Sequence, residues 1–107
     1  MATPSVYRAV ADPTRRRLLD SLRTEADQSL SQLCQAQPTS RQAIAKHLGI
    51  LQEAGLVEVR TVGRERRHRL NAQPLEEVAT WLASYTTFWT QRLDALESRI
   101  REQHRPS

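Results

Sequence analysis

What this chain has little of narrows it before any motif is read. Its single cysteine, Cys34, rules out an internal disulfide framework and fits a reducing compartment. Its three glycines are too few for a glycine-rich loop that cradles phosphates. No nucleophile stands with a base and an orienting partner at a recognisable spacing, so no catalysis and no cofactor are expected. No apolar run approaches the roughly 18 residues that cross a bilayer, and the N-terminus lacks a signal-type apolar stretch. The expectation is a cytoplasmic protein without a membrane partner. Aromatics are also scarce, yet three of the five, Tyr85, Phe88 and Trp89, stand close together.

What is present is unevenly spread. The 107 residues suffice for one domain and one core, spanning 1–107. The net charge of +4 conceals a split: residues 41–69 hold seven Lys or Arg against three Glu, whereas residues 75–102 hold three Arg against five acids. A basic middle suits a polyanion, and a mildly acidic, apolar C-terminal part suits a different partner.

In chain order, Thr3-Pro4 and Asp12-Pro13 both read as helix starts, with a capping side chain followed by proline in the first turn. They predict a helix from Pro4 to about Ala11 and a second from Pro13 to about Arg23, burying Leu18, Leu19 and Leu22. Arg15 and Arg16 then fall at the unfavourable end of the helix dipole, where either an anionic phosphate or plain solvation of a charge run accounts for them. After a polar loop at 24–28, Ser29 with Gln32 forms a capping-box pattern for a short third helix with Leu30, Leu33 and Cys34 inward. Pro38 closes it. A fourth helix, capped by Thr39 or Ser40 and stopped by Gly55, turns Ile44, Leu48 and Leu51 inward and Gln42, Lys46, Gly49 and Glu53 outward. Two helices joined by about four residues, the second basic and polar in its first half, make a helix-turn-helix pattern.

A hairpin follows at about 56–71. Val57 and Val59 alternate with Glu58 and Arg60, Gly63 turns the chain, and five arginines lie within 60–69 against Glu65 alone. Like charges on one hairpin repel unless an anion is near. From about 75 to 102 no Gly or Pro interrupts an apolar stripe of Leu75, Val78, Leu82, Tyr85, Trp89, Leu93, Leu96 and Ile100, spaced by three or four. One continuous helix of this size is on the order of 40 Å long, against a radius of gyration near 13 Å for a domain of about 100 residues. Its stripe therefore calls for a second copy of the chain, with Leu82, Tyr85, Trp89, Leu93 and Leu96 at the interface. The fold class is mainly α with a small β-hairpin: a winged helix-turn-helix of five helices, a two-stranded wing and a long C-terminal dimerisation helix.

The segments ADPTRRRLLDSL at 11–22, SRQAIAKHLGILQEAGLV at 40–57 and VGRERRHRLN at 62–71 together resemble the ArsR/SmtB family of bacterial winged-helix repressors, a likeness that covers about residues 5–100. The resemblance implies a homodimeric repressor of transcription on a palindromic double-stranded DNA operator. It places the recognition-helix contacts on Ser40, Arg41, Gln42, Ala45 and Lys46, and the wing on flanking backbone and minor groove, where Arg64, Arg66 and Arg67 stand. Arg41 suits a guanine edge and Gln42 an adenine edge, with Lys46 on phosphate or guanine and Ala45 against a thymine methyl. His47 reads as packing.

The sequence also departs from the family. Thiolate metal sensors of the family carry a second cysteine on the third helix, and here the run is Leu33-Cys34-Gln35-Ala36. One thiolate cannot build a closed soft-metal site. The family's other metal site uses Asp and His on the last helix, but residues 75–102 hold no His; His68 lies on the wing and His104 in the tail. No metal is expected. Other routes stay open: release by a small-molecule effector of unknown identity near Tyr85 and Trp89, release by oxidation of Cys34, or a winged-helix module that binds protein instead of DNA. An inward, inert Cys34 is the expectation.

Overall fold

Asp12 shows how local chemistry sets the first part of the fold. Its carboxylate accepts the Arg15 backbone N–H at 3.0 Å, and Pro13 follows in the first turn, so α2 starts there and runs Pro13–Thr24. The computed structural model describes residues 5–103. A shorter α1, Val6–Ala9, precedes α2 and is capped by Ser5, which accepts the Arg8 N–H. The cap expected at Thr3-Pro4 lies outside the described residues, as does His104.

After α2 come β1 (Gln28–Ser29), α3 (Leu30–Gln35) and α4 (Arg41–Glu53). The expected capping box is present at α3, with Ser29 accepting the Gln32 N–H and the Gln32 side chain accepting the Ser29 N–H. Of the two candidate caps for α4, Ser40 does the work: its Oγ accepts the Ala43 N–H at 3.1 Å. The far end of α4 closes in a Schellman pattern. Gly55 sits at φ 80°, its N–H donates to Gln52 O at 3.0 Å, and Leu56 N–H donates to Leu51 O at 2.9 Å. Leu51 and Leu56 are both fully buried, so the stop is also an anchor.

Strands β2 (Val57–Val62) and β3 (Glu65–Leu70) form the hairpin in antiparallel register, with Val57 opposite Leu70 and Val62 opposite Glu65. Two residues, Gly63 at φ 64° and Arg64, make the turn. The expected two-stranded wing gains a third strand: β1 pairs with β3, Gln28 opposite His68, giving the order β1-β3-β2. The addition depends on Gln28. Its buried side-chain amide nitrogen donates to Ser21 O, Ser21 Oγ and Glu25 O, while its backbone carbonyl lies 3.0 Å from His68 Nδ1. The loop expected at 24–28 is thus tied into the sheet at its end.

The core joins Val6 and Ala9 of α1, Leu18, Leu19 and Leu22 of α2, Leu33 of α3, Ile44, Leu48 and Leu51 of α4, and Leu56 and Val57 at the entry to the wing. Cys34 is half-buried, more open than the inward position expected for it.

The chain divides into two compact units, one reaching Glu77 and the other from Val78 on. The C-terminal stripe does not lie on one continuous helix. Instead α5 (Leu75–Ala83) ends and α6 (Thr86–Gln103) begins after a tight turn. Ser84 N–H and Tyr85 N–H bond three residues back, to Trp81 O and Leu82 O, and Ser84 Oγ also donates to Trp81 O at 2.7 Å. A serine that competes for helix carbonyls, followed by the β-branched pair Thr86-Thr87, interrupts the ladder without Gly or Pro. The second unit contains a Trp81–Tyr85 edge contact at 5.5 Å and a Tyr85–Trp89 stack at 6.4 Å. No residue of α5 or α6 is buried. Among the described residues no helix is long and apolar enough to cross a membrane.

Candidate nucleic-acid interface

The inward stripe of α4 fixes which residues it offers to a partner. With Ile44, Leu48 and Leu51 buried, Ser40, Arg41, Gln42, Ala45 and Lys46 are all exposed. They do not share one direction. Arg41, Ala45, Gly49 and Gln52 line a cleft of about 690 Å³ between α4 and the wing. Gln42 and Lys46 lie roughly 100° and 140° round the helix from Arg41, on the side opposite the buried stripe.

Arg64, Glu65, Arg66 and His68 form the wing's side of this cleft, Ser31 contributes from α3, and Leu30 and Leu48 contribute apolar surface. Arg41 reaches across to α3, donating from its guanidinium to Ser31 Oγ at 3.0 Å. Gly49 leaves open space, since a Cβ built there would meet nothing within 4 Å.

The wing's cations divide by strand alternation. On one face Arg60 and Arg67 stand directly opposite each other, a like-charge pair offset by acids. Arg60 reaches Asp27 at 3.3 Å and Arg67 Nε lies 3.7 Å from the Glu65 carboxylate. Asp27 holds its place at φ 56°, a conformation that Asp tolerates better than most residues. The other face carries Arg66, beside the buried His68. Among the described wing and α4 cations Arg64, Arg66, Lys46 and, on the Arg60 and Arg67 face, Arg69 have neither an ion pair nor a hydrogen bond from their side chains. Of the three wing arginines singled out from sequence, Arg64 and Arg66 are brought into the cleft with α4, while Arg67 is on the opposite face and half-buried.

Arg15 and Arg16 have a structural explanation at the start of α2. Arg15 donates to Ala9 O at 2.7 Å and Arg8 O at 3.0 Å, and Arg16 donates to Val10 O at 2.8 Å. The carbonyls ending α1 supply the negative partner, in place of the phosphate or solvent that the sequence left open. Arg15 also meets His47 Nδ1 at 3.2 Å, which must accept because a guanidinium only donates. His47 thus connects α4 to the start of α2, with Asp12 at 4.0 Å. The Asp12 carboxyl is held below its usual value, chiefly by the hydrogen bond from the Arg15 backbone N–H, with partial burial opposing it.

Sequence reasoning missed Ser31, Gly49 and Gln52 as parts of the cleft. The last two follow from helical spacing once Arg41 is oriented. Ser31 depends on how α3 crosses α4, which periodicity does not encode. Among the described residues no three His, Cys, Asp or Glu side chains group as a metal site would require.

A helix-turn-helix with a basic hairpin after its second helix, and unpaired cations on both, defines a winged helix-turn-helix DNA-binding protein. A helix-turn-helix domain family model matches residues 10–60. The chain is similar to the solved structure of an ArsR-like transcriptional regulator from Rhodococcus sp. RHA1, at 46% identity and TM-score 0.65, covering 87% of each chain. It is 36% identical over 80 residues to the uncharacterized HTH-type transcriptional regulator YuzN of Bacillus subtilis (strain 168), covering 69% of this chain and 87% of that one. It is 28% identical over 81 residues to the transcriptional repressor SdpR of the same organism, covering 76% and 89%. The chain belongs to the ArsR family of transcriptional regulators and is not an enzyme.

Proposed function

We propose that this protein is a cytoplasmic transcriptional repressor acting as a homodimer on a palindromic operator, and that it does so without the metal sites found in part of its family. The observation that carries the DNA-binding assignment is the grouping of unpaired Arg64 and Arg66 with Arg41 around one cleft, with unpaired Lys46 exposed on the outer side of the same helix. Gln42 and Lys46 point away from the buried stripe and suit base edges in the major groove, with Ser40 and Ala45 beside them. Arg64 and Arg66 suit the flanking backbone. Arg67 is the weaker of the wing contacts, since it already has Glu65.

Repression is supported by the likeness to SdpR. Dimerisation is supported by the row of exposed apolar side chains on α5, α6 and the turn between them, among them Trp81, Tyr85, Phe88, Trp89, Leu93, Leu96 and Ile100. Leu82 is half-buried beside them. The whole chain then serves as one functional domain, the second unit pairing two DNA-reading units. The missing second thiol beside Cys34 supports metal-independent action.

Selection of bound DNA from a random pool at physiological salt tests this. A palindromic consensus is expected, and its affinity should fall by orders of magnitude between about 50 and 200 mM salt as released counterions dominate. No enrichment would remove the DNA-binding role from this chain.

A further inference from the structure

The cleft between α4 and the wing assigns Arg41 a role different from the one its position on a recognition helix implies. We propose that this cleft seats a single phosphodiester strand, with Arg41 as a phosphate ligand held in place by Ser31, so that base reading falls to Gln42 and Lys46. The proposal rests on the DNA-binding assignment above and refines it.

Three observations support it. Arg41 does not stand on the outermost line of α4. It lies on the flank facing the wing, in the same cleft as Arg64 and Arg66. Its guanidinium is also already engaged: the bond to Ser31 Oγ at 3.0 Å draws it along the cleft wall instead of outwards to a groove floor. Finally, three guanidinium-bearing residues line the cleft from two sides, Arg41 from α4 and Arg64 and Arg66 from the wing, against one carboxylate, Glu65, which is shared with Arg67 at 3.7 Å, so cations outnumber acids there. A phosphodiester oxygen pair matches the forked N–H geometry of arginine, and a negatively charged strand removes the repulsion among the three cations.

Ser31 completes the arrangement chemically. Its oxygen accepts from Arg41, which leaves its hydroxyl proton free to donate to the same phosphate. One side chain thus holds the arginine and adds a second donor beside it. Gly49 keeps the neighbouring part of the helix surface clear for the backbone to approach.

The test uses the full-length chain and the DNA enriched by the wild type. Arg41→Gln is expected to enrich the same consensus as the wild type, to bind every sequence more weakly by a similar factor, and to lower the salt slope by about one for each Arg41 removed. Replacing successive phosphates by neutral methylphosphonates should identify one position in each half-site where the wild type loses affinity and Arg41→Gln does not. Ser31→Ala should blunt that same methylphosphonate effect, and Ser31→Thr, which keeps the hydroxyl, should restore it. Gln42→Ala should relax base preference instead. A changed base preference at one position with Arg41→Gln, or equal sensitivity of wild type and Arg41→Gln to every methylphosphonate, overturns the proposal. If the wild type enriches nothing, the DNA-binding assignment itself fails and this refinement falls with it.

Discussion

At the scale of single residues, the N-terminal helices are held by arginines and caps whose roles were only half visible in the sequence. The Asp12-Pro13 start follows from local chemistry, and α2 begins where that chemistry dictates. Arg15 looked misplaced at a helix N-terminus because its partners, Ala9 O, Arg8 O and His47, come from a preceding helix and from one 32 residues later. Asp12 supplies a pH prediction. Its folded carboxyl titrates below the usual 3.8, so the cap's extra stabilisation is complete above that value and is lost as pH falls through the depressed folded value. Asp12→Asn keeps a capping oxygen that does not titrate in this range. Urea unfolding of both proteins at neutral pH and near pH 3 should show the wild type losing stability relative to Asp12→Asn in acid. A constant difference would remove Asp12 from the acid response.

At the scale of elements, the helix-turn-helix was legible because each boundary has a short-range cause: Ser29 with Gln32, Ser40 before α4, and Gly55 after it. Ser29→Ala removes the side-chain half of the capping box, at a cost of about 1 kcal/mol. In a domain of this size such a loss lowers the melting temperature by roughly 4–8 °C. A thermal melt followed by circular dichroism checks it, and an unchanged midpoint would mean the box contributes nothing to holding α3. Two element-level features were not legible. The third strand exists because Gln28 satisfies its amide against Ser21 and Glu25 and so delivers two residues to β3, a pairing across 40 positions. The division between α5 and α6 escaped notice because the usual breakers, Gly and Pro, are absent. Ser84 acts through its hydroxyl on Trp81 O.

For the whole molecule, the decisive fact is an apolar stripe that the second unit does not bury on its own. Leu93 is 65% exposed and Trp89 46% exposed, which is costly in water unless another surface covers them. Leu93→Glu would place a carboxylate in a dimer interface at a penalty of several kcal/mol, and each 1.4 kcal/mol is a factor of about ten. Sedimentation equilibrium should therefore show the dimer dissociation constant rising by at least about tenfold while helicity is unchanged; a wild-type chain that sediments as a monomer would sink the homodimer. The sequence by itself determined the capped helices, the buried faces of α2 and α4, the basic hairpin and the lack of a second thiol, because each depends on near neighbours or on a repeating period. Tertiary structure decided which arginines are free. Strand alternation and register set Arg60 and Arg67 against Asp27 and Glu65, and they left Arg64 and Arg66 facing Arg41 across the cleft. Charge count depends on composition, but whether a charge is available to DNA depends on which acids the fold brings within about 4 Å of it.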